Sequence, residues 1–253
     1  MKRIKWIMAF VFMVMLLSAC QSVKTIQRQM QGIQSELFYE LTTPVYSGNI
    51  DNTIYLSLVE DTVSLMYTTV NRKSRKVLPL LFYNLEQYKY EVTLGEASLI
   101  QSYHEFLMDA LFTQCNRSSC FNLKVKDETI LPDSALILEV KVNRNITAAK
   151  MVSKEFSYVF PFYGAFVISS SGWEINQPVS WLGISVRLIQ QEKCLWEKTY
   201  IDTQNPPYKR QGIEKPVEAY ETCIDYLTEC LSYTTKGIVE NISQDLHLMM
   251  LEK

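Results

Sequence analysis

Thr93-Leu94-Gly95-Glu96-Ala97-Ser98-Leu99-Ile100-Gln101-Ser102-Tyr103-His104-Glu105-Phe106-Leu107-Met108-Asp109-Ala110-Leu111-Phe112 is the stretch whose periodicity decides the fold class. Leu99, Ile100, Tyr103, Phe106, Leu107, Ala110 and Leu111 fall on one face at helical spacing, while His104 and Asp109 lie off that stripe. Thr93 and Glu96 have the spacing of a capping box, in which a hydroxyl and a carboxylate three residues apart satisfy each other's free backbone donors. The pattern predicts an amphipathic helix over about 94–112, laid on a sheet.

On either side the period changes from 3.6 to 2. Ile54, Leu56 and Leu58 alternate with Tyr55, Ser57 and Val59 in a strand candidate over Thr53 to Leu65, which Glu60-Asp61 breaks or turns before Val63 to Val70. Asn71-Arg72-Lys73-Ser74-Arg75-Lys76 reads as a basic turn, and Glu86 to Val92 as a short strand. Downstream, Phe121 to Val125 and Ala135 to Val142 are strands, and Trp181 to Ile189 with Cys194 to Ile201 form a hairpin across Gln190–Lys193. After a loop over 202–215, Pro216 opens a second helix whose apolar spacing holds to about 248, with Gly237 a candidate kink. The expected class is α+β: a mostly antiparallel sheet with its two main helices, about 94–112 and 216–248, packed on one face.

The amino terminus carries an address. Lys2, Arg3 and Lys5 precede an uncharged run from Trp6 to Leu17, too short for the roughly 20 apolar residues of a membrane-spanning helix but of the length of a signal peptide. The run ends in Leu17-Ser18-Ala19-Cys20, which resembles the bacterial lipobox. That resemblance implies cleavage before Cys20, lipidation of its thiol with chains such as palmitate, and tethering to a bilayer. Gln21, where an aspartate is the usual retention signal, implies the outer rather than the inner membrane. Residues 1–19 then form the signal peptide, 20–36 a glutamine-rich tether, and 37–253 a single domain. Removing residues 1–19 takes away three basic residues and no acid, leaving 22 Lys+Arg against 27 Asp+Glu. Such an acidic body disfavours nucleic acid as a partner.

Within the domain, residues 155–176 form an aromatic insertion. Phe156, Tyr158, Phe160, Phe162, Tyr163, Phe166 and Trp173 stand in a stretch without charge from Phe156 to Trp173. Three readings are open: packing on the core, contact with a partner or membrane surface, and insertion as a hairpin, which lipid permits only in a closed ring of subunits.

With 47% hydrophobic and 21% charged residues the chain is globular, and two histidines and eight glycines leave little material for histidine metal clusters or glycine-rich phosphate cradles. No nucleophile elbow, Walker loop, HExxH or zinc-ribbon pattern occurs, so no catalytic residue, metal or cofactor is expected. His104 and His247 read as exposed helical residues. Cys115 and Cys120 have a spacing suited to a structural disulfide in an exported protein. Cys223 and Cys230 are about 10.5 Å apart along one helix, too far to pair with each other, and read as core residues, with Cys194 a possible partner for one of them. Asp61-Thr62-Val63 and Asp133-Ser134-Ala135 resemble the O-glycosylation acceptor of Bacteroidetes envelope proteins.

The succession of helix 93–112, strands 121–125 and 135–142, hairpin 181–201 and closing helix resembles the small α+β domain of curli-secretion-type and TolB amino-terminal-like envelope lipoproteins. It implies a non-enzymatic, lipid-anchored component for assembly, secretion or transport that binds another envelope protein or its own copies. An oligomeric pore subunit using the 156–173 hairpin, and a glycan-binding or hydrolytic surface lipoprotein, stand as alternatives.

Overall fold

The computed structural model describes residues 28, 32–41, 53–59, 70–80, 83–117, 121–126, 132, 134–160, 166–204 and 212–251, with the backbone alone over 70–80, 83–86, 157–160, 166–170 and at 177. The signal-peptide segment, Cys20, most of the tether and the Asp61-Thr62-Val63 motif lie outside the described residues, as does Asp133. The fold is α+β. Among the described residues seven strands form one sheet: β1 (Thr53–Val59), β2 (Val70–Leu80), β3 (Tyr83–Thr93), β4 (Asn122–Val125), β5 (Leu136–Phe160), β6 (Phe166–Gln190) and β7 (Lys193–Gln204). Among the described residues two long α-helices accompany them, α1 (Tyr103–Arg117) and α2 (Pro216–Leu251). Four strand pairings are antiparallel, while β1 runs parallel to both β4 and β5.

The expected strand over 135–142 is the first third of a 25-residue strand, and the expected hairpin strand starting at Trp181 is the end of another. Each is about 80 Å of chain at a strand rise near 3.3 Å, against an ordinary length of 5–6 residues. They pair along their whole length, so each has two sets of neighbours. At one end the order is β4-β1-β5-β6-β7; at the other it is β2-β3-β5-β6, because β1 and β3 lie end to end along the same side of β5. The first part is a base covered by helices. The second is an arm.

Two irregularities hide these strands from a period-2 reading. On β5 the buried residues are Leu138 and Val140, then Asn145, Thr147, Ala149, Met151 and Ser153, a switch from even to odd at the register shift between Val142 and Arg144, with Val152 buried at 8% exposure on the other parity. On β6 they are Trp173 and Ile175, then Pro178, Ser180, Leu182, Ile184, Val186 and Leu188, a switch at the second shift, opposite Ala148 and Lys150, with Gly183 also buried on the other parity. An extra residue in one strand reverses which parity faces the core. Pro178 sits at the second shift, where its missing N–H interrupts no regular ladder.

The first helix starts later than its sequence pattern predicts. Thr93 is the last residue of β3, Glu96–Ser98 is a single 3-10 turn whose Gly95 cap makes no side-chain bond, and Ile100 is exposed. Ser102 supplies the cap: its Oγ accepts the Glu105 N–H at 3.2 Å and its own N–H donates to Glu105 Oε2 at 3.3 Å. Glu96 instead accepts the Tyr103 N–H through Oε2 at 3.2 Å. Tyr103, Phe106, Leu107, Ala110 and Leu111 are buried, as the stripe requires.

Helix α2 spans 36 residues without interruption at Gly237. A Cβ at that position would stand 2.8 Å from Asp202 Oδ2, so the glycine lets the end of β7 approach the helix. The buried face carries Cys223, Ile224, Leu227, Leu231, Ile238, Ile242 and Leu246. It also buries Thr228, Ser232, Thr234 and Thr235, whose hydroxyls each donate to the carbonyl four residues earlier at 2.8–2.9 Å. That local bond removes most of the cost of burying a hydroxyl. Tyr103 OH meets Thr235 Oγ1 at 3.0 Å and ties α1 to α2.

The basic run 71–76 is no turn. It lies inside β2, with Lys76 opposite Glu86 and Asn71 opposite Glu91.

Candidate interaction surface

One face of the sheet is covered by the helices; the other carries the candidate site. In the base, alternate residues of β5, β6 and β7 face away from the core, and they divide into a polar half and an apolar half. Glu139, Lys141, Asn143, Ser185, Arg187 and Glu197 line a depression of about 410 Å³. Asn143 Nδ2 donates to Ser185 Oγ, Ser185 Oγ lies 2.7 Å from Thr199 Oγ1, and Arg187 Nε stands 3.6 Å from Glu197 Oε2. These exposed contacts hold the surface in register more than they stabilise it.

Next to them the rows turn apolar. Ile146 pairs with Trp181, Gly183 with Ile201, and Ala148 with Val179, so the side chains of Ile146, Val179, Trp181 and Ile201 share one patch. They are 44%, 41%, 41% and 67% exposed. Arg144 Cζ lies 3.5 Å from the centre of the Trp181 ring, a cation–π contact that holds the indole against the guanidinium. Gly183 leaves the floor of the patch open between Arg144 and Ile201. An aromatic–arginine pair within exposed aliphatic surface is the composition of a protein-binding anchor. The neighbouring strand β7 pairs only with β6 among the described residues.

On the helix side of β7, Asp245 Oδ2 accepts both Lys198 Nζ and Tyr200 OH at 2.6 Å. Partial burial works to raise the Asp245 pKa, and the two donated bonds with the Lys198 charge overcome it, so the carboxyl sits below its usual range. The cluster clamps β7 to α2.

The residues singled out from the sequence are dispersed. Trp173 is 3% exposed and belongs to the core, stacked on Tyr90 with centroids 5.4 Å apart and edge-on to Tyr220 of α2 at 5.4 Å. Its expected role as a contact residue is therefore corrected: the parity reversal on β6 turns Trp173 toward the helix. Phe156 is half-buried in β5, while Tyr158, Phe160 and Phe166 are placed by backbone and register alone. Phe162 and Tyr163 lie outside the described residues. Cys115 is buried on α1, and the expected Cys115–Cys120 bond falls on Cys120, outside the described residues. Cys223 and Cys230 are core residues, their thiols pushed up to about 12 chiefly by burial. Cys194 is exposed and pairs with neither.

His104 is exposed, but His247 is 6% exposed, on the α2 stripe one turn beyond Ser243, which corrects its expected exposure. Among the described residues no three His, Cys, Asp or Glu side chains converge as a metal site requires, and no helix is long and apolar enough to cross a membrane. The Trp181 patch went unread in the sequence; its signal was the apolar residues left on the outward parity of two strands.

No protein-family model and no curated protein matches the sequence. Among solved structures, the crystal structure of protein XCC0632 from Xanthomonas campestris, described by the family-model DUF330, aligns over 85% of this chain and 97% of its own at 10% identity, with a TM-score of 0.42.

Proposed function

We propose that this protein is a non-enzymatic, lipid-anchored component of a bacterial envelope, attached through Cys20, that binds another envelope protein in assembly, secretion or transport. The observation that carries the reading is the Trp181 patch. Ile146, Val179, Trp181 and Ile201 form a continuous apolar surface on a sheet face that no helix covers among the described residues. The basic start, apolar run and Leu17-Ser18-Ala19-Cys20 supply the location, and Gln21 favours the outer membrane. Centrally placed Trp and Arg side chains dominate protein interfaces, Trp because it buries a large area with few rotamers to lose and Arg because its planar guanidinium stacks and forms several hydrogen bonds.

The test is blue-native electrophoresis of mild-detergent extracts from cells carrying the wild-type chain or Trp181→Asp/Ile201→Asp. A complex larger than the monomer is expected, and the double variant should release it while thermal unfolding stays within about 1 kcal/mol, since both side chains are exposed. Migration of the wild type only as a free monomer counts against partner binding. Failure of Cys20 to take up radiolabelled palmitate counts against the anchor.

A further inference from the structure

We propose that the far end of the β2-β3-β5-β6 arm seats in the interfacial zone of a lipid bilayer, a second membrane attachment besides the anchor; the choice of a bilayer as occupant rests on the envelope reading above. The register brings together residues that are far apart in sequence. Leu80, Tyr83, Tyr158 and Ile168 form one row across all four strands. Pro79, Asn84, Ser157 and Ser169 form the next row toward the body, and Leu78, Leu85, Phe156 and Ser170 the one after. Alternate rows of a pleated sheet share a face. One face of the arm end is thus aliphatic and aromatic apart from Ser170, continuing to Phe160 opposite Phe166, while the other is mixed, with Pro79, Asn84, Ser157 and Ser169 followed by Val159 opposite Val167.

Charge marks where this zone stops. Nothing charged occurs from Val77 to Leu85 or from Phe156 to Trp173. The six residues of each strand nearer the body, 71–76, 86–91, 150–155 and 171–176, carry seven basic residues against four acidic ones. Four of the seven, Arg72, Lys73, Arg75 and Lys76, are on the edge strand β2. A net-positive belt flush with an apolar, aromatic end, on a chain whose total charge is negative, is complementary to an anionic headgroup layer over acyl chains.

Length decides between seating and spanning. From Phe156 to Phe160 the strand advances about 14 Å, close to one leaflet and short of the 9–11 residues of a membrane-crossing strand. Among the described residues β2 pairs only with β3 and no strand lies on its outer edge, and hydrocarbon does not tolerate an unpaired edge. Shallow seating keeps that edge at headgroup depth, where water and phosphates satisfy it.

The test uses the full chain carrying Tyr158→Trp, purified from membranes and reconstituted in vesicles of phosphatidylethanolamine and phosphatidylglycerol, with and without lipids brominated near the headgroup end of the acyl chains. After subtraction of the wild-type signal, the introduced indole should lose roughly half of its emission to shallow bromines and less to deep ones, as interfacial aromatics do. Arg75→Glu/Lys76→Glu should weaken that quenching, more so at low salt than at high. An introduced indole untouched by bromine overturns the proposal, whatever Cys20 carries. If it is untouched and the chain shows concentration-dependent self-association that Ile168→Asp abolishes, the face belongs to a second copy. Quenching in a chain whose Cys20 proves unacylated by mass spectrometry leaves this inference standing and removes the anchor reading instead.

Discussion

Thr93 and Ser102 each stand three residues before a glutamate, and only the second caps a helix. Thr93 is paired with Ala148 in the sheet, and the Leu94 N–H donates to the Thr147 carbonyl at 2.8 Å, so the chain still belongs to the sheet where a capping box at Thr93 would have to start a helix. Ser102 faces the unsatisfied donors of the first turn of α1 and meets one of them. Ser102→Ala should therefore cost about 1 kcal/mol in urea unfolding, and Thr93→Ala less than about 0.5 kcal/mol. The reverse order would return the helix start to residue 94. The same logic separates the two histidines: identical in local character, they differ because only His247 lies on a stripe that a sheet covers.

At the scale of elements, the tight turn of the β6–β7 hairpin was legible from its polar Gln190–Lys193 link between two apolar alternations. Its detailed geometry was not. Gln191 and Glu192 take φ of 49° and 63°, the two left-handed positions of a type I′ turn, without the Asn-Gly that such a turn prefers. Each left-handed non-glycine residue costs about 1 kcal/mol, so Glu192→Gly should raise stability by roughly that amount, seen as an increased denaturation midpoint at unchanged m-value. A fall would mean that the Glu192 side chain makes a contact worth more than the backbone strain. Helix α2 shows the opposite case. Gly237 suggested an interruption, yet the helix runs through it because α2 packs on the sheet along its length, and packing outweighs a propensity deficit of about 1 kcal/mol.

For the whole molecule, two tryptophans eight residues apart on one strand report how the sheet is used. Trp173 is enclosed by Tyr90 from the arm and Tyr220 from α2, so it joins the arm to the helix layer. Trp181 lies on the open face beneath Arg144. Trp173→Ala should cost about 3–5 kcal/mol and Trp181→Ala about 1 kcal/mol or less, compared by thermal unfolding. Equal costs would place both rings in the core or both outside it. Apolar periodicity in 99–111 and 217–246 and alternation in 54–58 and 136–140 were enough to establish the α+β class and both helices, because each is a local pattern that its own residues complete. Tertiary structure alone decided that β5 and β6 are single strands of 25 residues, that Trp173 is buried while Trp181 is exposed, and that residues near 80, 158 and 168 end in one row. Those outcomes depend on strand register, and one extra residue in a strand reverses every side chain beyond it, a choice settled only by what packs on the other side.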